Sequence, residues 1–328
     1  MKYRLLGKTG WNVSEIGFGG WALGGQWGGQ DEADSVAALD EAIDRGMNFI
    51  DTAQGYGEGR SERVIAKVLR GRRDQVFVAT KTPPAPGPWP PSPYCKAEER
   101  YPESYLRANV EERLSNLQTD CLDLLQLHTW TRAWNRNPAP LEVLARLREE
   151  GKLKRIGIST PEQDQNSAVD LMRLGLVDTV QVIYNLFEQE PAAELLPVAK
   201  ETNTGVIVRV VFDEGALTGK YKAGHRFPEN DFRSRYFAGD RLERTVGRVE
   251  QIRRDVAEAG LGDTHTLADV AIKFALADPA VSTVITGIRN ADQARLNAAA
   301  CEKPDLPGPL LATLRRHNWL RGVWYSGK

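Results

Sequence analysis

The chain has 328 residues, 41% of them hydrophobic and 27% charged, enough apolar material for one large core beneath a well solvated surface. Lys and Arg number 43 against 44 Asp and Glu, a balance that excludes the charge footprint of a nucleic-acid binder or of a protein held on an anionic membrane. Cys95, Cys121 and Cys301 are scattered and form no CxxC pair, which excludes a disulfide framework and suits reduced thiols in the cytosol.

The first residues carry charge but no apolar h-region, and no run approaches the ~18 apolar residues that span a bilayer, so a soluble, cytoplasmic protein is expected. Residues 3–5 and 13–16 flank a Gly-Lys-Thr-Gly turn and read as a small hairpin running into a first strand near 15–18. Glycines crowd the next stretch, from Gly17 to Gly29, with Trp21 and Trp27 among them. No G-x-G-x-x-G opens a helix there, so a Rossmann phosphate loop is not expected. A helix over 31–45 turns Val36, Leu39, Ala42 and Ile43 inward and stops at Gly46.

The alternation then repeats. Strands are predicted at 48–51, 76–81, 122–128 and 156–159, with helices at 61–70, 102–117 and 140–150 between them. Thr160, Pro161 and Gln163 predict a helix N-terminus, with a threonine cap, proline at the first position and glutamine at the third. Strands follow at 179–182, 205–212 and 282–286, with helices at 192–201, 241–259, 267–277 and from about 292. Eight strand–helix units with no linker predict one (β/α)8 domain over residues 1–328, a TIM barrel with an N-terminal hairpin and extra C-terminal helices. The longest irregular stretch, 82–100, holds seven prolines, with Trp89 and Tyr94. On the catalytic rim of a barrel such a stiffened loop is a candidate substrate wall.

The polar residues that end the predicted strands supply the chemistry. Asp51 ends the second, Lys81 the third and His128 the fourth, and Tyr56 lies in the loop after Asp51. In a barrel of this kind the C-terminal strand ends form one rim, where catalysis sits. An ammonium at the end of an apolar strand needs a counter-charge, and Asp51 on the adjoining strand supplies one. A phenol is a weak acid at neutral pH, and a neighbouring lysine lowers its pKa. Four such residues on adjacent strand ends are hard to explain as packing.

At these residues the sequence resembles the aldo-keto reductase superfamily over nearly its whole length. The signature runs from Phe49, Ile50, Asp51, Thr52 and Ala53 through Tyr56 and Gly57 to Ser61 and Glu62, then Thr80 with Lys81, and Leu124 to His128. The resemblance implies an (α/β)8 barrel and a catalytic tetrad of Asp51, Tyr56, Lys81 and His128. It also implies a nicotinamide coenzyme, NADPH/NADP, bound without a Rossmann fold. Coenzyme contacts carried over are Gly20, Trp21, Asp51, Ser159, Gln181 for the carboxamide, Phe212 and Gly215. Leu217, Gly219 and Lys220 match the segment that covers the pyrophosphate, and Gly287, Arg289, Gln293 and Asn297 match the adenosine 2′-phosphate and adenine site. Substrate contacts implied are Trp21, Tyr56, His128 and Trp130.

Two positions depart from the family pattern. Thr160 stands where asparagine is usual, which affects one carboxamide contact. Strand seven lacks its usual Tyr-Ser-Pro-Leu run and reads Arg209, Val210, Val211, Phe212, so Arg209 replaces the ring that stacks on the nicotinamide. A cation there disfavours the oxidised coenzyme, an effect that Asp213 and Glu214 offset, or else it clamps an acidic substrate. The expected activity is NADPH-dependent reduction of an aldehyde, ketone or keto-sugar. Two other readings are a nucleotide-sensing subunit resembling channel β-subunits, which the intact tetrad opposes, and a metal-dependent hydrolase, which lacks a second histidine to pair with His128. Arg132, Arg136, Glu188 and Glu190 near the rim suit a polar substrate, Trp89 and Trp134 suit aromatic walls, and the tail 317–325 is placed to close one side of the barrel. The expected partner is a small carbonyl substrate; monomer and homo-oligomer are both open.

Overall fold

A computed structural model describes residues 1–25, 27–88, 91–92 and 94–321. The hairpin β1 (Tyr3–Leu5) and β2 (Asn12–Ser14) pairs antiparallel across the bottom of a barrel. Its Leu6 and Val13 are buried against Phe49, Ala79, Leu124, Ile207 and Ile285 from the barrel strands. Burial of this apolar plug keeps water out of the floor and leaves the opposite end for polar groups.

β3 (Ile16–Gly19) enters the barrel and leads to α1 (Glu32–Asp44). Asp31 caps α1 by accepting from the amides of Ala33 and Asp34, and Gly46 at φ 85° ends the turn beyond it. β4 (Phe49–Asp51), α2 (Arg60–Val68) and β5 (Phe77–Thr82) follow. The proline-rich loop contains one short helix, α3 (Ala97–Arg100), and Arg100 pins the loop by donating to the carbonyls of Ala85 and Pro88. Trp89, Pro90 and Pro93 lie outside the described residues. The chain continues through α4 (Glu103–Leu117), β6 (Leu122–Leu127), α5 (Ala139–Glu149), β7 (Leu153–Ser159), α6 (Val169–Arg173), β8 (Thr179–Ile183), α7 (Leu195–Thr202) and β9 (Gly205–Arg209). Then come α8 (Phe232–Tyr236), α9 (Arg241–Glu258), α10 (Leu267–Leu276), β10 (Val281–Gly287), α11 (Ala291–Ala299) and α12 (Gly308–Arg315).

Strands β3 to β10 pair in parallel and close into a barrel in sequence order, β10 returning to β3. This is the (β/α)8 fold expected from the alternation, with extra helices toward the C-terminus. A larger apolar layer, including Leu39, Ile65, Leu106, Leu144 and Val270, fills the space between barrel and helices. No helix among the described residues is long and apolar enough to cross a membrane.

Three local expectations fail. No helix starts at Thr160. Its hydroxyl lies 3.0 Å from Gln165 Oε1 and 3.2 Å from the Gln181 carbonyl, so it is used laterally and helix formation waits until Val169. The ninth strand ends at Arg209, not at Phe212, because Val210 takes φ 55° and the Asn185 amide holds its carbonyl at 2.8 Å. A β-branched residue with positive φ leaves the strand. The helix expected from 192 begins at Leu195, after a 3-10 turn over Glu190–Ala192 that holds Pro191 at its second position.

The signature residues Ser61 and Glu62 fasten α2 to the barrel. Ser61 Oγ donates to the Gly20 carbonyl, and Thr52 donates to Ser61 Oγ. Glu62 is fully buried and accepts from Thr80 (2.6 Å), Arg113 (2.9 Å) and Asn116 (2.9 Å). Removing one partner of a buried ion pair costs about 3–5 kcal/mol. Arg113→Ala should therefore lower the urea-unfolding free energy by roughly that amount, and a loss under ~1 kcal/mol would show that Glu62 does not depend on it.

Candidate active site

The site rests on the upper ends of β4, β5 and β6. Lys81 is fully buried, and its ammonium donates to Asp51 Oδ2 at 2.5 Å, to the Thr52 carbonyl at 2.9 Å and to the Tyr56 hydroxyl at 3.1 Å. Burial opposes the charge on Lys81, but Asp51 and the phenol overcome it and hold its pKa above the ordinary lysine value. Asp51 Oδ1 in turn accepts from Gln181 at 2.7 Å and from Gln126 at 3.4 Å. The carboxylate therefore has a cation and two amides around it, all buried inside the barrel.

Tyr56 sits half-buried in the loop after β4. Its ring is 5.9 Å from that of His128, edge to face, and 6.3 Å from that of Trp21. Lys81 was expected to lower the phenol's pKa. It does oppose the shift, but desolvation is larger, and the phenol lies above its ordinary value. The loop is placed by close backbone packing: a Cβ on Gly24 would lie 2.6 Å from the Tyr56 carbonyl carbon, and one on Gly57 2.5 Å from the Gly24 oxygen. Only glycine permits that approach.

Trp21 also contacts Trp27 at 5.5 Å and Phe232 at 5.4 Å, so an aromatic wall borders Tyr56. Trp130, expected to face a substrate, has no exposed surface. It packs edge-on against Trp134 and donates to Asn135 Oδ1, which makes it an anchor for the loop after β6. Trp134 is likewise buried and donates to the Cys95 carbonyl. Arg132 is held by both oxygens of Asp164, and Glu188 pairs with Arg321. The tail docks as far as Arg321, through Trp319 on Phe187 and Arg321 on Asp213; residues 322–325 are not among those described.

The remaining expected contacts run from β7 round to α11. Ser159, at the end of β7, and Gln181, midway along β8, are register partners. Gln181 Oε1 is buried with no hydrogen-bond partner among the described residues. Arg209 donates from Nη2 to the Thr160 carbonyl at 2.9 Å and lies 3.7 Å from Glu162 Oε1. Its counter-charge is therefore Glu162. Asp213 instead turns to Tyr236 and Arg321, and the Glu214 carbonyl accepts from Tyr221. Phe212 is partly buried, Gly215 and Gly219 both take positive φ, and Leu217 packs in the core. Lys220 loses basicity through burial and through Arg233 and Arg289, so three cations converge, with Asp231 nearby.

Gly20 backs onto the Asp51 carbonyl, and Gly287 ends β10 in register with Gly19. Gln293 Oε1 accepts from the Arg289 amide at 2.9 Å, and the Asn297 amide nitrogen is buried without a partner among the described residues. Sequence reasoning missed Gln30, whose side chain accepts from Arg289 Nε (3.0 Å) and donates to the Arg289 carbonyl (2.7 Å). It gave no site role to Gln126, which lies within the matched Leu124–His128 run and donates to Asp51, nor to Phe232. Among the described residues no group of three or more His, Cys, Asp or Glu is placed to hold a metal ion.

Residues 15–318 match the family model described as Aldo/keto reductase family. Aldo-keto reductase YhdN of Bacillus subtilis strain 168 is 32% identical over 299 residues, 89% of this chain and 86% of the relative. Among solved structures, the holo form of aldo-keto reductase AKR11C1 from Bacillus halodurans superposes with a TM-score of 0.76 at 25% identity, covering 98% of both chains. An aldo/keto reductase from Klebsiella pneumoniae, solved in complex with NADP and acetate, gives a TM-score of 0.69 at 26% identity, again with 98% of both chains covered.

Asp51→Asn would leave the buried Lys81 ammonium without its charge partner, at a cost of about 3–5 kcal/mol. Adding Lys81→Met should restore part of that loss. Chemical unfolding of the single and double variants checks this, and strictly additive losses would mean that the pair is not coupled.

Proposed function

We propose that this chain, which belongs to the aldo/keto reductase family, is an NADPH-dependent oxidoreductase that reduces the carbonyl of a small aldehyde, ketone or keto-sugar. Lys81 carries the conclusion: its ammonium bonds at once to the buried Asp51 and to the Tyr56 hydroxyl at the rim of the barrel. That arrangement suits proton donation to an oxygen as negative charge builds on it.

The residues present fit an extended dinucleotide. Among the described residues Gln181 presents a buried acceptor and Asn297 a buried donor without partners, and Lys220 and Arg289 add positive charge. Ser159, Gln181 and Arg209 would hold the nicotinamide end. Gly215, Leu217, Gly219 and Lys220 would line the pyrophosphate, and Gly287, Arg289, Gln293 and Asn297 the adenosine with its 2′-phosphate. When bound, the coenzyme supplies the hydride for the carbonyl carbon.

The protein's own part is the proton. Tyr56, a phenol protonated at neutral pH and made a weaker acid still by burial, donates to the developing alkoxide. Lys81 then stabilises the phenolate left behind, and Asp51 keeps Lys81 charged and in place. His128 orients the carbonyl oxygen toward Tyr56, and Trp21 covers one side of the substrate. Arg289 is assigned to the coenzyme's 2′-phosphate. The phosphate would take Arg289 from the neutral acceptors Gln30 and Gly29, and a charge-assisted contact is the stronger one.

The basic experiment is a screen of aldehydes, ketones and keto-sugars for NADPH oxidation. On any substrate found, Tyr56→Phe should keep the fold and NADPH affinity yet lose ~10²–10⁴-fold in rate. Near wild-type turnover would end the proposed mechanism. Arg289→Ala should weaken NADPH about tenfold or more while leaving NADH nearly unchanged. Equal losses measured by titration would refute the 2′-phosphate assignment.

A further inference from the structure

The two departures from the family pattern, Thr160 and Arg209, meet in space. Arg209 ends β9 in register with Ile183 of β8, and Gln181 lies one inward-facing residue deeper, beside Ser159 of β7. Strand alternation puts Ser159, Gln181 and Arg209 on the inner face of the barrel. The Arg209 side chain then crosses the end of β8 to reach the Thr160 carbonyl.

The hydrogen bonds left over are specific. Thr160 has a single hydroxyl proton and two protein acceptors in reach, Gln165 Oε1 and the Gln181 carbonyl, so it has no donor for a ligand. Gln181 spends its amide nitrogen on Asp51, which leaves Oε1 buried and without a partner among the described residues. Arg209 spends Nη2 on Thr160, which leaves Nε buried and unpaired among the described residues. Buried polar atoms in native proteins have partners, and a ligand can be the partner. One unpaired donor and one unpaired acceptor match a primary carboxamide, which offers a carbonyl oxygen and an N–H.

We propose that Arg209 Nε and Gln181 Oε1 together bind the carboxamide of the nicotinamide ring, Arg209 donating to its oxygen and Gln181 accepting from its nitrogen. Arg209 thereby performs the donor role that Thr160 cannot. This assignment rests on the nicotinamide-coenzyme reading. Arg209 also bears on the phenol, whose pKa its charge lowers, which places the guanidinium within electrostatic reach of Tyr56. Glu162 balances that charge, so an oxidised ring carrying its own positive charge is tolerated beside it.

The test is a fluorescence titration of the full chain and of Arg209→Met and Arg209→Lys with NADPH and with 2′-phospho-ADP-ribose, which lacks the nicotinamide. NADH and ADP-ribose form a parallel pair. Arg209→Met should bind NADPH about tenfold or more weakly, as loss of a hydrogen bond to a charged donor requires, yet bind 2′-phospho-ADP-ribose as wild type does. Arg209→Lys, which keeps the charge but not the Nε–H geometry, should lose most of the same factor. Unchanged NADPH affinity in Arg209→Met would overturn the assignment, as would equal losses for both ligands. Wild-type protein that binds none of the four ligands would overturn the coenzyme reading itself.

Discussion

A lysine ammonium at the centre of a barrel governs the upper half of this molecule. Removing that charge from water is costly, and the cost is offset only if every proton on it finds an acceptor. Asp51, Thr52 and Tyr56 meet that requirement, and Asp51 then needs Gln126 and Gln181 to complete its own shell. Residues from β4, β5, β6 and β8 are thereby committed to a single network. The phenol is the one member that reaches the rim, so the charge balance of the interior is expressed at the surface through Tyr56.

The lower half is organised by the opposite principle. Leu6 and Val13 close the floor with apolar side chains, and the interior residues just above them are Phe49, Ala79, Leu124, Ile207 and Ile285. The polar network stands on this dry layer. Low polarity beneath it strengthens each hydrogen bond above.

The barrel was legible because strand and helix periods alternate with glycine stops, and the clustering of Asp51, Tyr56, Lys81 and His128 because they end or follow adjacent strands. What could not be read depends on where side chains find partners. The Thr160 run looks like a cap in one dimension, yet its hydroxyl is taken by Gln165 and by a neighbouring strand. Val210 has strong strand propensity, and the Asn185 amide, distant in sequence, overrides it. Trp130 lies two residues beyond His128, past the end of β6 where strand alternation no longer orients side chains, and it packs edge-on against Trp134. For Arg209 the acids nearest in sequence, Asp213 and Glu214, were not the ones that balance it; Glu162 arrives from another loop. The Gln30–Arg289 contact joins residues 259 positions apart and has no local signal.

The contact between Gly24 and the Tyr56–Gly57 backbone also bears on how such a barrel can diversify. With no room for a Cβ at either surface, the loops after β3 and β4 are packed backbone to backbone at Tyr56. An insertion in either loop would have to be matched in the other or would displace the phenol from Lys81. Lengthening is therefore confined to loops that do not touch this pair, such as the proline-rich one after β5. Variation in substrate range among barrels of this design should accumulate there, while the first two loops keep their length.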